Sequence, residues 1–154
     1  MADPGADLVA VAQTRGYEVV PLVGPSSILL SLMGSGFNGQ NFAFNGYLPV
    51  DAKARGLKLK EMMRRITAER QTQIFIETPY RNNAMVKALS ETLRPDTLLC
   101  VAADITDPDA ESIRTRAAAK WRSAKYDYDK RPAIFLIHVP QAAPPAARKG
   151  GGRR

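Results

Sequence analysis

Apolar positions along the chain fall into two spacings that take turns. Near-continuous apolar runs occur at YEVVPL (17–22), TQIFIE (72–77), TLLCVAA (97–103) and PAIFLIHV (132–139). Their length and β-branched content predict strands buried on both faces. FAFNGYLP predicts a shorter strand with a turn around Gly46 and Pro49, and SIRTRA (112–117) a further strand. Between these runs the apolar residues recur every three or four positions, which predicts helices. Leu8, Val9, Val11 and Ala12 do so behind a cap at Asp3 and a helix start at Pro4, with Gly16 as the stop. SILLSLM predicts a short apolar helix ending at Gly34 or Gly36, and residues 51–69 an amphipathic one with Leu59, Met62, Met63 and Ile66 on one side. Pro79 opens a helix through Leu93 carrying Met85, Val86 and Leu89, and Trp121 anchors a short helix in AAKWRSA.

Helices that alternate with doubly buried strands predict an α/β sandwich. GSGFNGQN (34–41) carries no periodicity and marks a boundary, dividing the chain into a first unit (1–36) and a second α/β unit (41–139). From residue 140 onward the Pro, Ala, Gly and Arg composition predicts a disordered basic tail. The first helix stands without the strand that a parallel crossover would supply before it, so the expectation is an incomplete first lobe.

The formal charge of +7 admits a polyanionic partner, although Arg148, Lys149, Arg153 and Arg154 place part of it in the tail. The one cysteine, Cys100, lies in an apolar strand, and with one histidine it excludes a cysteine–histidine zinc cluster. No run approaches the length of a membrane span and no leader pattern is visible, so the expected location is the cytoplasm. Phosphate-loop, GxGxxG and nucleophile-elbow motifs are missing from the sequence. The acidic cluster Asp104, Asp107, Asp109 and Glu111 reads as a solvated loop or a hard-cation site.

Three turns that follow apolar runs hold the remaining chemistry: VGPSS, ETPYR and ADITD. If the strands are parallel, their carboxyl ends gather on one side, where open α/β sheets bind ligands. The alternative is that Gly24, Pro25 and Pro79 only make turns and helix starts. Residues Lys53, Arg55, Lys58, Lys60, Arg64 and Arg65 give helix 51–69 a basic polar face, suited to nucleic acid or simply to solvent.

Taken in order, ADPGADLV, VVPLVGPSS, FAFNGYLP, IFIETPYR and CVAADIT resemble the tetrapyrrole-methylase-like S-adenosylmethionine methyltransferases, in the branch that methylates a ribose 2′-hydroxyl of small-subunit rRNA. Tyr80, Ala103, Asp104 and Asp107 depart from that pattern. The resemblance implies a two-lobe α/β sandwich whose second lobe is a mixed sheet flanked by helices, with the cofactor S-adenosylmethionine between the lobes. It implies cofactor contacts at Pro25, Ser26, Ser27, Leu48, Pro49, Glu77, Thr78, Ala103, Ile105 and Thr106. Glu77 and Asp104 are the candidate bases, and Glu77 alternatively steadies a helix start. Arg81 is a candidate grip for a carboxylate or an RNA phosphate and joins the basic face of helix 51–69 as the RNA-binding set. No metal is expected. The partners implied are rRNA or the small ribosomal subunit, and a second copy in a homodimer. The alternatives are a methyltransferase acting on a small tetrapyrrole-type molecule and a non-catalytic remnant that binds RNA or a partner.

Overall fold

The computed structural model describes residues 5–140. The order of elements is α1 (Gly5–Thr14), α2 (Ser27–Ser35), β1 (Phe42–Tyr47), α3 (Ala52–Glu69), β2 (Thr72–Ile76), α4 (Asn82–Thr92), β3 (Leu98–Ala103), β4 (Ser112–Ala117), α5 (Ala118–Trp121) and β5 (Ala133–His138). A single 3-10 turn, Pro79–Arg81, precedes α4. The expected cap at Asp3, the helix start at Pro4 and the tail after Pro140 lie outside the described residues.

The strands form one five-stranded sheet in the order β1-β2-β5-β3-β4. β1 and β2 are parallel, β5 is antiparallel to both β2 and β3, and β4 is antiparallel to β3. Three strands, β1, β2 and β3, therefore run one way and two run the other. Because side chains alternate across a pleated strand, each apolar run feeds two cores. Phe75, Leu99, Val101, Phe135 and Ile137 face α3, α4 and α5, meeting Leu59, Met62, Ile66, Val86, Leu89 and Trp121. Ile74, Cys100, Ile134 and Leu136 face the other way, onto Ile28 and Leu32 of α2. The α/β sandwich expected from the apolar runs is thus present, with helices on both sides, and its sheet is mixed as the resemblance implied.

Particular residues secure this arrangement. Phe75 and Phe135 pair across β2 and β5 and stack at 5.6 Å with 8° between their planes. Trp121 buries its indole and donates from Nε1 to the Leu99 carbonyl at 2.9 Å. Asp51 caps α3 by accepting the Ala54 N–H at 2.8 Å. Asn82 and Asn83, in the first turn of α4, staple the segment before β5: Asn82 Nδ2 donates to the Tyr128 and Arg131 carbonyls at 2.9 and 2.7 Å. Asn83 Oδ1 accepts the Tyr128 N–H at 2.8 Å.

Residues 17–22 correct the sequence expectation: they form no strand. Tyr17, Val20 and Leu22 are exposed, and this run pairs with neither edge strand of the sheet, β1 or β4, so its strand composition has no ladder to join. α1 forms as expected, yet buries no residue. α2, grouped by sequence with the first unit, seats its apolar side on the sheet, and Thr115 of β4 donates to the Ser35 carbonyl at 2.9 Å.

Candidate functional site

The ends of β1, β2 and β3 and the starts of β4 and β5 meet at one edge of the sheet. A cleft of ≈ 570 Å³ opens there. Ile76, Ala102, Ala133 and Ile134 make an apolar floor, and Tyr47 closes the β1 side. Ser27, at the start of α2, reaches it from one sheet face, while Glu77 and Pro79 enter from the turn after β2. Residues Asp104 to Asp107 form the wall after β3. Small side chains at 102 and 133 keep this edge open, where larger ones would fill it.

Two carboxylates in the cleft are each held by an arginine. Glu77 is 7% exposed, and its Oε1 accepts from the Thr78 N–H at 2.6 Å and from Arg81 Nε and Nη2 at 3.1 and 2.6 Å. Asp104 Oδ2 accepts from Arg131 Nε, while Arg131 Nη2 donates to the Ala110 carbonyl at 2.6 Å. These bonds draw on one oxygen of each carboxylate, and among the described residues Glu77 Oε2 and Asp104 Oδ1 have no hydrogen-bond partner. The wall itself is conformationally costly. Asp104 and Thr106 have φ of 47° and 75°, the left-handed region that a β-branched threonine adopts rarely. Thr106 is held there by its N–H, which donates to Glu111 Oε2 at 2.8 Å.

Of the residues expected in a ligand site, the cleft gathers Ser27, Glu77, Asp104, Ile105 and Thr106. Pro25, Ser26, Pro49 and Thr78 lie off its lining, and Leu48 and Ala103 point into the core behind it. Arg81 is committed to Glu77. On α3, Lys58 and Arg65 pair with Glu61 at 3.1 and 3.5 Å, and Arg55 donates to the Val50 carbonyl at 2.9 Å. The Lys58 ammonium bonded to Glu61 is the main cause of the lowered Glu61 pKa. Lys60 and Arg64 border a second hollow of ≈ 640 Å³, lined also by Leu59, Met63 and Leu93, which runs toward the end of α4 and away from the strand carboxyl ends. Among the described residues no group of three or more His, Cys, Asp or Glu is placed to hold a metal.

Sequence reasoning missed Pro132, Ala133 and Ile134 as cleft residues. They precede or begin a strand, and only the antiparallel insertion of β5 between β2 and β3 brings them to this edge.

No family model matches the chain. Curated relatives do. A protein of Vibrio cholerae named ribosomal RNA small subunit methyltransferase I is 30% identical over 141 residues, 90% of this chain and 47% of the relative. A protein of the same name from Mesorhizobium japonicum is 35% identical over 115 residues, 75% of this chain and 37% of the relative. Among solved structures, the methyltransferase CobJ superposes with a TM-score of 0.52 at 18% identity, covering 87% of this chain and 56% of its own. The chain has a tetrapyrrole-methylase-type fold and is a sequence relative of ribosomal RNA small subunit methyltransferase I. A conserved hypothetical protein from Aeropyrum pernix K1 shares the fold at a TM-score of 0.61 and 10% identity, over 92% of this chain and 55% of its own. The chain spans about half the length of the Vibrio methyltransferase, with 47% covered. No helix among the described residues is long and apolar enough to cross a membrane.

Proposed function

We propose that this chain forms an S-adenosylmethionine site and acts in methylating a ribose 2′-hydroxyl of small-subunit rRNA. The observation that carries this reading is the convergence of Ser27, Glu77, Asp104, Ile105 and Thr106 on one cleft, in a relative of proteins named for that activity. The residues present fit the cofactor. At ≈ 570 Å³ the cleft has room for it, by comparison with small-molecule sites of roughly 300–1,000 Å³. Its floor suits an apolar ring, and the Ser27 and Thr106 hydroxyls and the two carboxylates offer polar contacts at the rim. When bound, the cofactor supplies a methyl group already made electrophilic by the sulfonium. The protein's task is then to hold the acceptor in line and keep water out. Glu77 Oε2 and Asp104 Oδ1 are the two oxygens that can take the hydroxyl proton, each steadied by the arginine on its partner oxygen.

Calorimetric titration of the full chain with S-adenosylmethionine tests the first half of this reading, with measurable binding expected and the absence of heat refuting it. Transfer of a labelled methyl group to small ribosomal subunits, followed by nucleoside analysis, tests the second. Label on a base instead of a ribose would refute the assignment. The same reading includes a homodimer in the cytoplasm, where ribosomes are. It is supported by the apolar surface left open on Leu8, Val20, Leu22 and Val23, of which the last two are 89% and 103% exposed. Light scattering should report a dimer at micromolar concentration, and a strict monomer would refute this part.

A further inference from the structure

A polar groove of ≈ 360 Å³ runs along the β4 edge of the sheet, on the side that carries α3, α4 and α5. One wall is β4. Its side chains alternate: Ile113 packs toward α2 and Thr115 bonds to Ser35, so Arg114 and Arg116 project on the opposite face into the groove. The other wall follows α5 and contributes Lys125 and Tyr126. Tyr126 and Tyr128 stack at 6.0 Å with 16° between their planes, and the Arg116 guanidinium lies 5.3 Å from the Trp121 ring.

Three cations here, Arg114, Arg116 and Lys125, form no ion pair among the described residues. Among the described residues the Arg114 and Lys125 side chains have no hydrogen bond or ion pair, and the Arg116 side chain has only the Trp121 ring. The acid in the groove, Asp127, accepts from Asn83 Nδ2 at 3.0 Å and from the Asp129 N–H at 3.3 Å and keeps its negative charge, which acts on Arg131 of the groove and on Lys130. Like charges collected on one wall repel one another, and an anion lying between them removes that cost. The basic face of α3 differs: Lys58, Arg65 and Arg55 there have protein partners, and Lys60 and Arg64 border a hollow whose lining residues include no aromatic ring.

The groove also leads to the cleft. β4 begins at Ser112, which pairs with Ala103 at the end of β3, and Arg131 of the groove is the residue that holds Asp104 of the cleft. Arg114 and Arg116 are about 7 Å apart along the strand, so an extended chain contacting both advances toward the cleft rim. Arginines with aromatic rings between them are the surface that single-stranded RNA uses, phosphates on the cations and bases against the rings.

We infer that this groove holds the phosphate backbone of single-stranded RNA beside the cleft, with Arg114, Arg116 and Lys125 as the phosphate contacts. This rests on the rRNA reading above and names the surface that serves it. The test is fluorescence anisotropy of a labelled twelve-nucleotide oligouridine with the full chain at several salt concentrations. The variants compared are R114Q/R116Q/K125Q and, on α3, K53Q/K58Q/K60Q. Each phosphate contact to a single strand contributes about 0.7 to the slope of log affinity against log salt. The groove variant should therefore lose about 2 from that slope and on the order of 100-fold in affinity at 0.1 M salt. Its far-ultraviolet circular dichroism should match the parent, and its melting temperature should fall by no more than the few degrees that the lost Arg116–Trp121 contact allows.

An unchanged slope in the groove variant overturns the inference. So does a larger loss in the α3 variant, no binding by the parent chain, or displacement of RNA by polyglutamate at equal charge. Titration with S-adenosylmethionine separates the two readings. Groove-dependent RNA binding without cofactor heat leaves this inference standing and removes the methyltransferase reading. Cofactor heat with groove-independent RNA binding does the reverse.

Discussion

Replacing His138 by leucine should stabilise the fold, although it removes the chain's one histidine. His138 ends β5 and is 1% exposed, and neither Nδ1 nor Nε2 has a hydrogen-bond partner among the described residues. A neutral imidazole carries one donor and one acceptor, and each, buried and unpaired, costs about 1–3 kcal/mol. Leucine removes both groups and keeps an apolar body in the site. It forfeits the edge-on contact with Phe37, whose centroid lies 5.6 Å away. That contact accounts for about 0.5–1.5 kcal/mol, and the change of shape for about 1 kcal/mol more. At the middle of these ranges a gain of about 2 kcal/mol remains, or a rise of about 4–8 °C in Tm for a chain of this size.

The effect should also depend on pH. Burial, assisted by the charge of Arg70, holds the His138 pKa below its ordinary value. The unfolded chain then takes up a proton near pH ~6.5 while the folded chain does not. Stability that is complete above that pH is lost as the pH falls toward the folded pKa, at about 1.4 kcal/mol per pH unit. The leucine variant has no such loss, so its advantage should widen from pH 7.5 to pH 5.5. Urea unfolding of both chains at these two pH values measures it. A variant less stable than the parent at pH 7.5, or an advantage that does not grow on acidification, would refute the reasoning and show that the ring nitrogens are paired.

The remaining expectations concern the cleft wall, a cap and the thiol. Asp104→Ala breaks the bond to Arg131 and keeps the φ of 47°, so it should destabilise by about 1–3 kcal/mol. Adding Arg131→Ala should cost less than the sum of the single changes, by denaturant titration of the double-mutant cycle; strict additivity would mean the pair contributes nothing. Asp51→Ala should cost about 1 kcal/mol through the lost α3 cap, and Asp51→Asn should restore most of it in the same assay. Burial pushes the Cys100 thiol up to about 11. It should resist a thiol reagent at pH 8 in the folded chain and react at once in urea, whereas fast labelling of the native protein would contradict its burial.

Most of the elements were legible because burial leaves a periodic trace. A strand with both faces covered must be apolar at every position, as IFI and LLCVA are, and a helix on a sheet must repeat like Leu59, Met62 and Ile66. The failure at 17–22 has the same root. YEVVPL has strand composition, yet pairing requires a neighbouring edge, and that lies outside the segment's own sequence. In the cleft, Glu77, Asp104, Ile105 and Thr106 were readable because each follows an apolar run, the position where chains turn over a sheet edge. Pro132 to Ile134 were not, since a residue that opens a strand reaches this edge only if the strand runs backward.

Local sequence determined where this chain pleats or coils, which side chains seek the interior, and which turns carry oxygen and hydroxyl groups. These follow from spacing, because neighbouring residues share a backbone geometry. Tertiary structure alone decided that β5 enters between β2 and β3, that Asp104 meets Arg131, and that Arg114 and Arg116 face Lys125 across one groove. Such juxtapositions join residues of different elements. Their energy comes from the packing of the whole sheet, which leaves no local mark in the sequence.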